Sequence, residues 1–415
     1  MKITLALVAF CFAALSFRSG AADGPEDYVA HEWGTFTSVQ GSDGVLLEWR
    51  PLASSELPDF VYDRSKPRQS PVLKGALLPK NGYASTERME TPVIYFYPSA
   101  EMVVDVAVKF PLGLITEWYP MARSTGPEMD GDAHKPADGF IRWGKVRLFP
   151  AKLYPEFEKD LPTATSGSNY FAARETDSAF VRIGSPSRGI FEHEKFLFYR
   201  GVGDFKAPLE VQAGNAGISV RNTDTDAIPV YFVLTVGPTT ASYSVGGALK
   251  GGESAQAPRD NAAQRLTPEE NADALAKELQ TALIGQGLYP REAAAMVKTW
   301  RDSWFLEQGT RVLYILPESW TPRMLPLTLS PEPRELKRVM VGRAELLTPQ
   351  IEAAVASEVA GLASTDIDAR EKSQKALNHL GRFAEPALAR VIKTTTDEEV
   401  RTRATKLIAA MHDLN

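Results

Sequence analysis

Apolar and polar positions divide the chain into a β-rich part followed by helical parts. Between residue 29 and about 260, short apolar runs alternate with clusters of Gly, Pro, Asp and Ser, the pattern of strands and turns. The runs predict strands over 93–97, 102–110, 114–119, 140–149, 195–200, 209–213, 218–222 and 229–236. Val104, Val106 and Val108 alternate with Asp105, Ala107 and Lys109, so that strand has one buried and one wetter face. Val230-Tyr231-Phe232-Val233-Leu234 is apolar on both faces, which predicts a central position. Regular strand spacing without intervening helices predicts an antiparallel, sandwich-like domain.

Helical spacing begins at Thr267-Pro268-Glu269-Glu270, where an N-cap, a proline at the first helical position and acids near the positive end coincide. Leu275, Leu279, Leu283 and Ile284 form its apolar stripe. A second helix starts at Tyr289-Pro290, with Ala293, Val297, Trp300 and Trp304 on its core side. Strands return at 311–316 and 338–341. The loose, Gly- and Ser-rich segment 251–265 reads as a linker.

From Thr348 the pattern is helical to residue 415. Asp366-Ile367-Asp368-Ala369-Arg370 recurs as Asp397-Glu398-Glu399-Val400-Arg401, with Leu380-Gly381 and Pro386-Ala387-Leu388 between the copies. This tail resembles HEAT-like repeats, which implies stacked helix pairs. About two repeats cannot close a core of their own, since about three are usually needed. Docking on the preceding domain is therefore expected, with Leu362, Leu377 and Leu388 buried. The fold class is thus α+β and multidomain: a signal segment (1–22), a β-rich main domain (23–265), a helical pair and strands completing it (266–347), and the HEAT-like tail (348–415).

Lys2, the apolar stretch from Ile3 to Phe17 and the small residues up to Ala22 have the order of a secretory signal. The stretch is short for a bilayer core of about 30 Å. Export to a periplasmic or extracellular setting is expected, with no transmembrane segment in the mature chain. Cys11 is the only cysteine and lies in this signal, so the mature chain has no disulfide. Phe10 before it does not suit lipid attachment. The formal net charge of −6 is spread without a basic stripe, which excludes nucleic acid as a partner.

Three polar–aromatic segments carry the candidate chemistry: His31-Glu32-Trp33-Gly34-Thr35-Phe36; Glu90-Thr91-Pro92 running into Val93 to Tyr97, with Thr116-Glu117-Trp118-Tyr119 after it; and Glu192-His193-Glu194 leading into Phe196 to Gly201. The strings HEWGTFTSVQG, METPVIYFY, LITEWYP and EKFLFYRGVG resemble a family of exported bacterial proteins with no established activity, over residues 29 to about 347. That resemblance implies family membership and no mechanism.

His31 and His193, each flanked by glutamate, are candidate ligands for a divalent metal, whose N and O donors would lie at about 2.0–2.2 Å. On a strand, however, His31 and Glu32 point to opposite faces, and the helical His-Glu-x-x-His spacing is absent. Glu32, Glu90, Glu117, Glu192 and Glu194 supply carboxylates beside aromatics, the chemistry of a sugar-cleaving site with carboxyls about 5–9.5 Å apart. The candidate catalytic residues are Glu32, Glu117 and His193. Trp33, Trp118, Tyr119, Tyr199 and Arg200 are the candidate ligand-binding residues. His31, Glu117 and His193 are expected to meet in a pocket rimmed by Trp33, Trp118 and Tyr199, with Trp33 and Trp118 the most exposed tryptophans. Gly-x-Ser-x-Gly, Walker and dinucleotide loops are absent, and Asp130-Gly131-Asp132 reads as a solvated turn rather than a Ca²⁺ loop.

Two functions follow. One is a cell-envelope or extracellular binding or scaffold protein, taking a saccharide or small molecule, or a protein partner through the tail. The other is an exported hydrolase or lyase, carbohydrate-active or metal-assisted. Export itself is tested by mass spectrometry of the protein from its host: an N-terminus near Asp23 is expected, and a full-length chain in the cytoplasm would refute it.

Overall fold

The computed structural model describes residues 26–50, 57–64, 84–127, 137–163, 168–185, 189–214, 217–257 and 266–413. The signal segment, the Asp130-Gly131-Asp132 turn and residues 258–265 of the expected linker lie outside them. In chain order the strands are β1 (Glu26–Gln40), β2 (Tyr62–Asp63), β3 (Glu87–Pro98), β4 (Met102–Phe110), β5 (Gly113–Tyr119), β6 (Ser124–Gly126), β7 (Gly139–Phe149), β8 (Phe180–Ser185), β9 (Ile190–Glu194), β10 (Leu197–Gly203), β11 (Leu209–Gly214), β12 (Gly217–Asn222), β13 (Tyr231–Val236), β14 (Ala241–Gly246), β15 (Ser254–Gln256), β16 (Gly309–Ile315), β17 (Leu327–Ser330) and β18 (Pro333–Leu346). The α-helices are α1 (Pro268–Gly285), α2 (Pro290–Arg301), α3 (Trp320–Met324), α4 (Pro349–Gly361), α5 (Ile367–Leu380), α6 (Glu385–Thr394) and α7 (Glu398–Asp413). No described helix is long and apolar enough to cross a membrane.

A nine-stranded sheet in the order β14-β13-β16-β18-β1-β3-β10-β5-β2 forms the middle layer. Side chains alternate across it, so it feeds two cores. On one side, Phe36, Ile94, Trp118 and Tyr314 pack against Val104, Val106, Val108, Ile141 and Leu148 of a six-stranded sheet, β17-β4-β7-β8-β9 with β6 also paired to β7, and against Leu209, Val211 and Val220 of a small sheet, β11-β12-β15. On the other, Trp33, Val93, Tyr95, Leu313 and Val341 pack against Leu275, Leu279 and Leu283 of α1 and Met296 of α2. The start of α1 is fixed by a capping box: the Thr267 hydroxyl accepts from the Glu270 N–H while the Glu270 carboxylate accepts from the Thr267 N–H.

Three expectations are corrected. The central sheet is mixed, because β1 and β18 run parallel from Val29 opposite Glu335 to Gln40 opposite Leu346. The other neighbours in it are antiparallel. The apolar strand β13 lies one place from the sheet edge. It is apolar on both faces because helices cover one and β-sheet the other. Within the expected linker, β15 pairs with β12.

Contrary to the expectation for two repeats, the C-terminal helices α4 to α7 close a core of their own around Leu362, Leu377 and Leu388, each 0% exposed. They also sit on the end of the central sheet. Phe383 packs with Val39, Trp49 and Leu347, and lies so close to Gly309 that a Cβ there would meet its ring at 3.0 Å. The Glu352 carboxylate accepts from the Ser42 amide at 2.9 Å and its hydroxyl at 2.6 Å. Glu385 lies 3.9 Å from Arg50.

Glu87 is the exception among the buried acids. Beside Tyr314 and Ala207, it is 0% exposed, and among the described residues its carboxyl oxygens have no hydrogen-bond partner of good geometry. Burial pushes its pKa up to about 8, and the Ala207 backbone amide reverses this only in part.

Two predictions follow from the packing. Phe383→Ala removes a ring shared by sheet and helices and costs about 3 kcal/mol; circular dichroism should then show the helical region melting ahead of the sheets, where a single unshifted transition would count against the docking. For Glu87, the folded pKa lies above the unfolded one, so the neutral acid stabilises the fold fully below about pH 4.5. That contribution is lost as pH rises to about 8, by on the order of 5 kcal/mol. Glu87→Gln should raise the melting temperature at pH 9 relative to wild type and leave it little changed at pH 4; parallel pH profiles would rule the mechanism out.

Candidate functional site

Apart from Glu192-His193-Glu194 on β9, the segments singled out in the sequence lie on four contiguous strands, β1, β3, β10 and β5. At one level across them the register breaks on every seam. β1 shifts against β3 between Trp33 and Thr35, β10 against β3 between Phe198 and Gly201, and β10 against β5 between Arg200 and Gly201. Glu90-Thr91-Pro92 therefore bulges between Gly34 on one side and Tyr199-Arg200 on the other. Pro92 has no N–H to give the ladder. Thr91 is held at φ 45°, a conformation that a β-branched residue rarely adopts. Gly34 permits the close approach: a Cβ there would lie 2.9 Å from the Pro92 Cα. Bulges re-aim side chains, and strained backbone of this kind concentrates at functional sites.

On the helix side of this bulge row the floor is polar. Thr37 donates to Glu90 at 2.8 Å, and the Arg88 Nε lies 3.1 Å from the same carboxylate. Next to them, Glu345 accepts from Arg311 at 2.8 Å and Arg343 at 2.6 Å. Arg343 also reaches Glu307 at 3.0 Å. Burial works against the Arg343 charge, but Glu345, Glu307 and Glu90 overcome it and hold its pKa above the usual range. The hydroxyls of Thr35 and Thr91 are buried and, among the described residues, have no hydrogen-bond partner. Arg200 and Glu117 are cross-strand partners at the same level, and the Glu117 carboxylate accepts from the Thr116 hydroxyl.

The remaining predicted residues are placed elsewhere. His31 is 1% exposed, and its Nδ1 lies 2.7 Å from Glu292 of α2. Glu292 also accepts from the Tyr97 hydroxyl at 2.6 Å and the Tyr289 amide at 2.7 Å. Glu32 faces the opposite side, as strand alternation requires, where Tyr199 and Arg338 each donate to it at 2.5 Å. Tyr199 and Trp118 line the inter-sheet core, while Trp33 lies in the helix-side core. These rings cannot rim one pocket. The expected exposure of Trp33 and Trp118 is corrected as well: both are 0% exposed, because the strands that carry them are covered on both faces. Tyr119 stacks on Tyr62 and meets Phe60 edge-on.

His193 belongs to the six-stranded sheet, opposite Arg182 and against the Phe157 ring. Burial lowers its pKa, with Asp160 opposing and Arg182 adding to that effect. His31 and His193 are thus in different sheets with different partners. Among the described residues no group of three or more His, Cys, Asp or Glu is placed to hold a metal ion. The neighbours of His193 are also engaged: Glu192 accepts from Tyr62 and the Met121 amide, each at 2.5 Å, and Glu194 takes both forks of Arg174 at 2.8 and 2.7 Å.

Sequence reading missed Thr35, Thr37, Arg343, Glu345 and Glu292. The third helical position after Tyr289-Pro290 marks Glu292 as a capping acid, but nothing local connects it to His31. Thr35 and Thr37 follow His31 at alternate positions, a signal that a strand assignment for residues 26–40 would have exposed.

No protein-family model matches the chain, and no curated protein does. Among solved structures it is similar to the Fcho1 Mu homology domain from Danio rerio with bound Eps15 peptide, at 8% identity and a TM-score of 0.30, covering 78% of this chain and 98% of that one; a likeness at that level carries no argument.

Proposed function

We propose that this protein is an exported binding protein of the cell envelope or extracellular space, with its ligand site on the bulged polar floor between β1, β3, β10 and β5. The observation that carries this reading is the row of register breaks at Gly34, Thr91 and Arg200, which gathers four motif segments at one level of the sheet. Strain at Thr91 and two buried, unpartnered hydroxyls cost stability, and a ligand supplies the missing partners. Most of the other candidate groups are engaged in bonds that tie elements together: His31 to α2, Glu32 to Arg338, Glu194 to Arg174. We read α4 to α7 as two HEAT-like repeats that buttress the sheet end through Phe383.

A second reading, an exported hydrolase or lyase, is favoured by one feature. Glu90 and Glu117 lie on strands separated only by β10, so their backbones are about 10 Å apart. That spacing is near the range that two-carboxylate chemistry uses, although Glu90 turns toward Thr37 on β1.

The test is native mass spectrometry of the protein released gently from its host, then incubated with a small-molecule extract of the same cells. A retained non-protein mass is expected. Thr91→Gly, which accepts φ 45° without strain, should lose that mass while melting no lower than wild type. Equal retention by both proteins, or none by either, would remove this site from consideration. Release of a chemically altered ligand would favour the enzyme.

A further inference from the structure

Arg200 is 7% exposed, and its Nε is fully buried without a hydrogen-bond partner. Among the described residues no carboxylate comes within ion-pair distance of it. Its cross-strand neighbour is an acid, Glu117, yet that carboxylate is engaged by the Thr116 hydroxyl. Across the other seam, Glu90 is taken by Thr37 and Arg88. Arg311, Arg338 and Arg343, by contrast, each hold a carboxylate at 2.8 Å or less, and buried Arg64 donates to the Pro127 and Gly126 carbonyls. A largely buried guanidinium cannot lose its proton, so without a counter-charge it is destabilising. This one sits at the bulge row, beside the strained Thr91.

We infer that Arg200 is the receptor for an oxyanion, a carboxylate or a phosphate, carried by the ligand of this site. The inference rests on the site reading proposed above and adds the chemical class of what binds there. A planar guanidinium presents paired N–H donors that match the two oxygens of such a group. The anion would supply the missing counter-charge in a place where water screens little. The Thr35 and Thr91 hydroxyls, on the strands alongside, provide neutral hydrogen bonds for the rest of the ligand.

The experiment uses the full mature chain, with thermal melts and calorimetric titration against inorganic phosphate and against D-glucuronate, and chloride at matched ionic strength as the control. At least one oxyanion should raise the melting temperature beyond chloride. A response to phosphate alone or to glucuronate alone identifies the kind of group. Arg200→Met should weaken that binding at least about tenfold, and Arg200→Lys should restore part of it. Without ligand, Arg200→Met should melt at or above wild type, since it breaks no ion pair and removes an uncompensated charge. The inference is overturned if neither anion exceeds chloride, if the response survives in Arg200→Met, or if that variant melts far below wild type. Should Thr91→Gly lose the retained ligand while Arg200→Met keeps it, the site stands and the oxyanion does not.

Discussion

Parallel pairing of β1 with β18 holds this molecule together. The ladder lies inside the nine-stranded sheet and from Arg338 on is covered on both faces, so the polar side chains there need partners in protein. The partners come in alternation. His31 reaches down to Glu292, and Glu32 reaches the other way to Tyr199 and to Arg338, its own register partner on β18. A slip of one residue would point His31 into the inter-sheet core and Glu32 at the capping acid of α2. Buried ion pairs of this sort add little net stability over apolar residues. Their larger effect here is to make any other register costly.

The same logic separates two kinds of buried charge. Glu345 lies between Arg311 and Arg343, with further carbonyl and carboxylate partners around both guanidinium groups. Such a network welds β16, β18 and the turn after α2 into one body. Glu87 and Arg200 are different, because each is buried without such company. Glu87 can become neutral and so remain buried at little cost below its raised pKa. Arg200 has no such escape.

Legibility in the sequence followed locality. The span 102–110, read from alternating valines, is β4, and Thr267-Pro268 and Thr348-Pro349 do begin helices. Those signals lie within a few residues of one another. β1 was not read as a strand: doubly covered, it shows no alternation, and its His, Glu and Trp look like chemistry rather than core. Its parallel partner lies about 300 residues away, beyond any local pattern. At the candidate site, Glu117 and Arg200 were identified by their aromatic company. The bulges that align them with Thr91 are properties of strand pairing, and no single segment contains them.

The central ladder also imposes an order in time. Its first half, Glu26–Gln40, is made about 300 residues before its second half, Pro333–Leu346. A polypeptide that emerges N-terminus first therefore holds Tyr28, Trp33 and Phe36 without their β18 neighbours until that strand has arrived. Such non-local closure is slow. Until residues 333–346 arrive the central sheet stays unclosed, and that interval is when its aromatic side chains are open to aggregation.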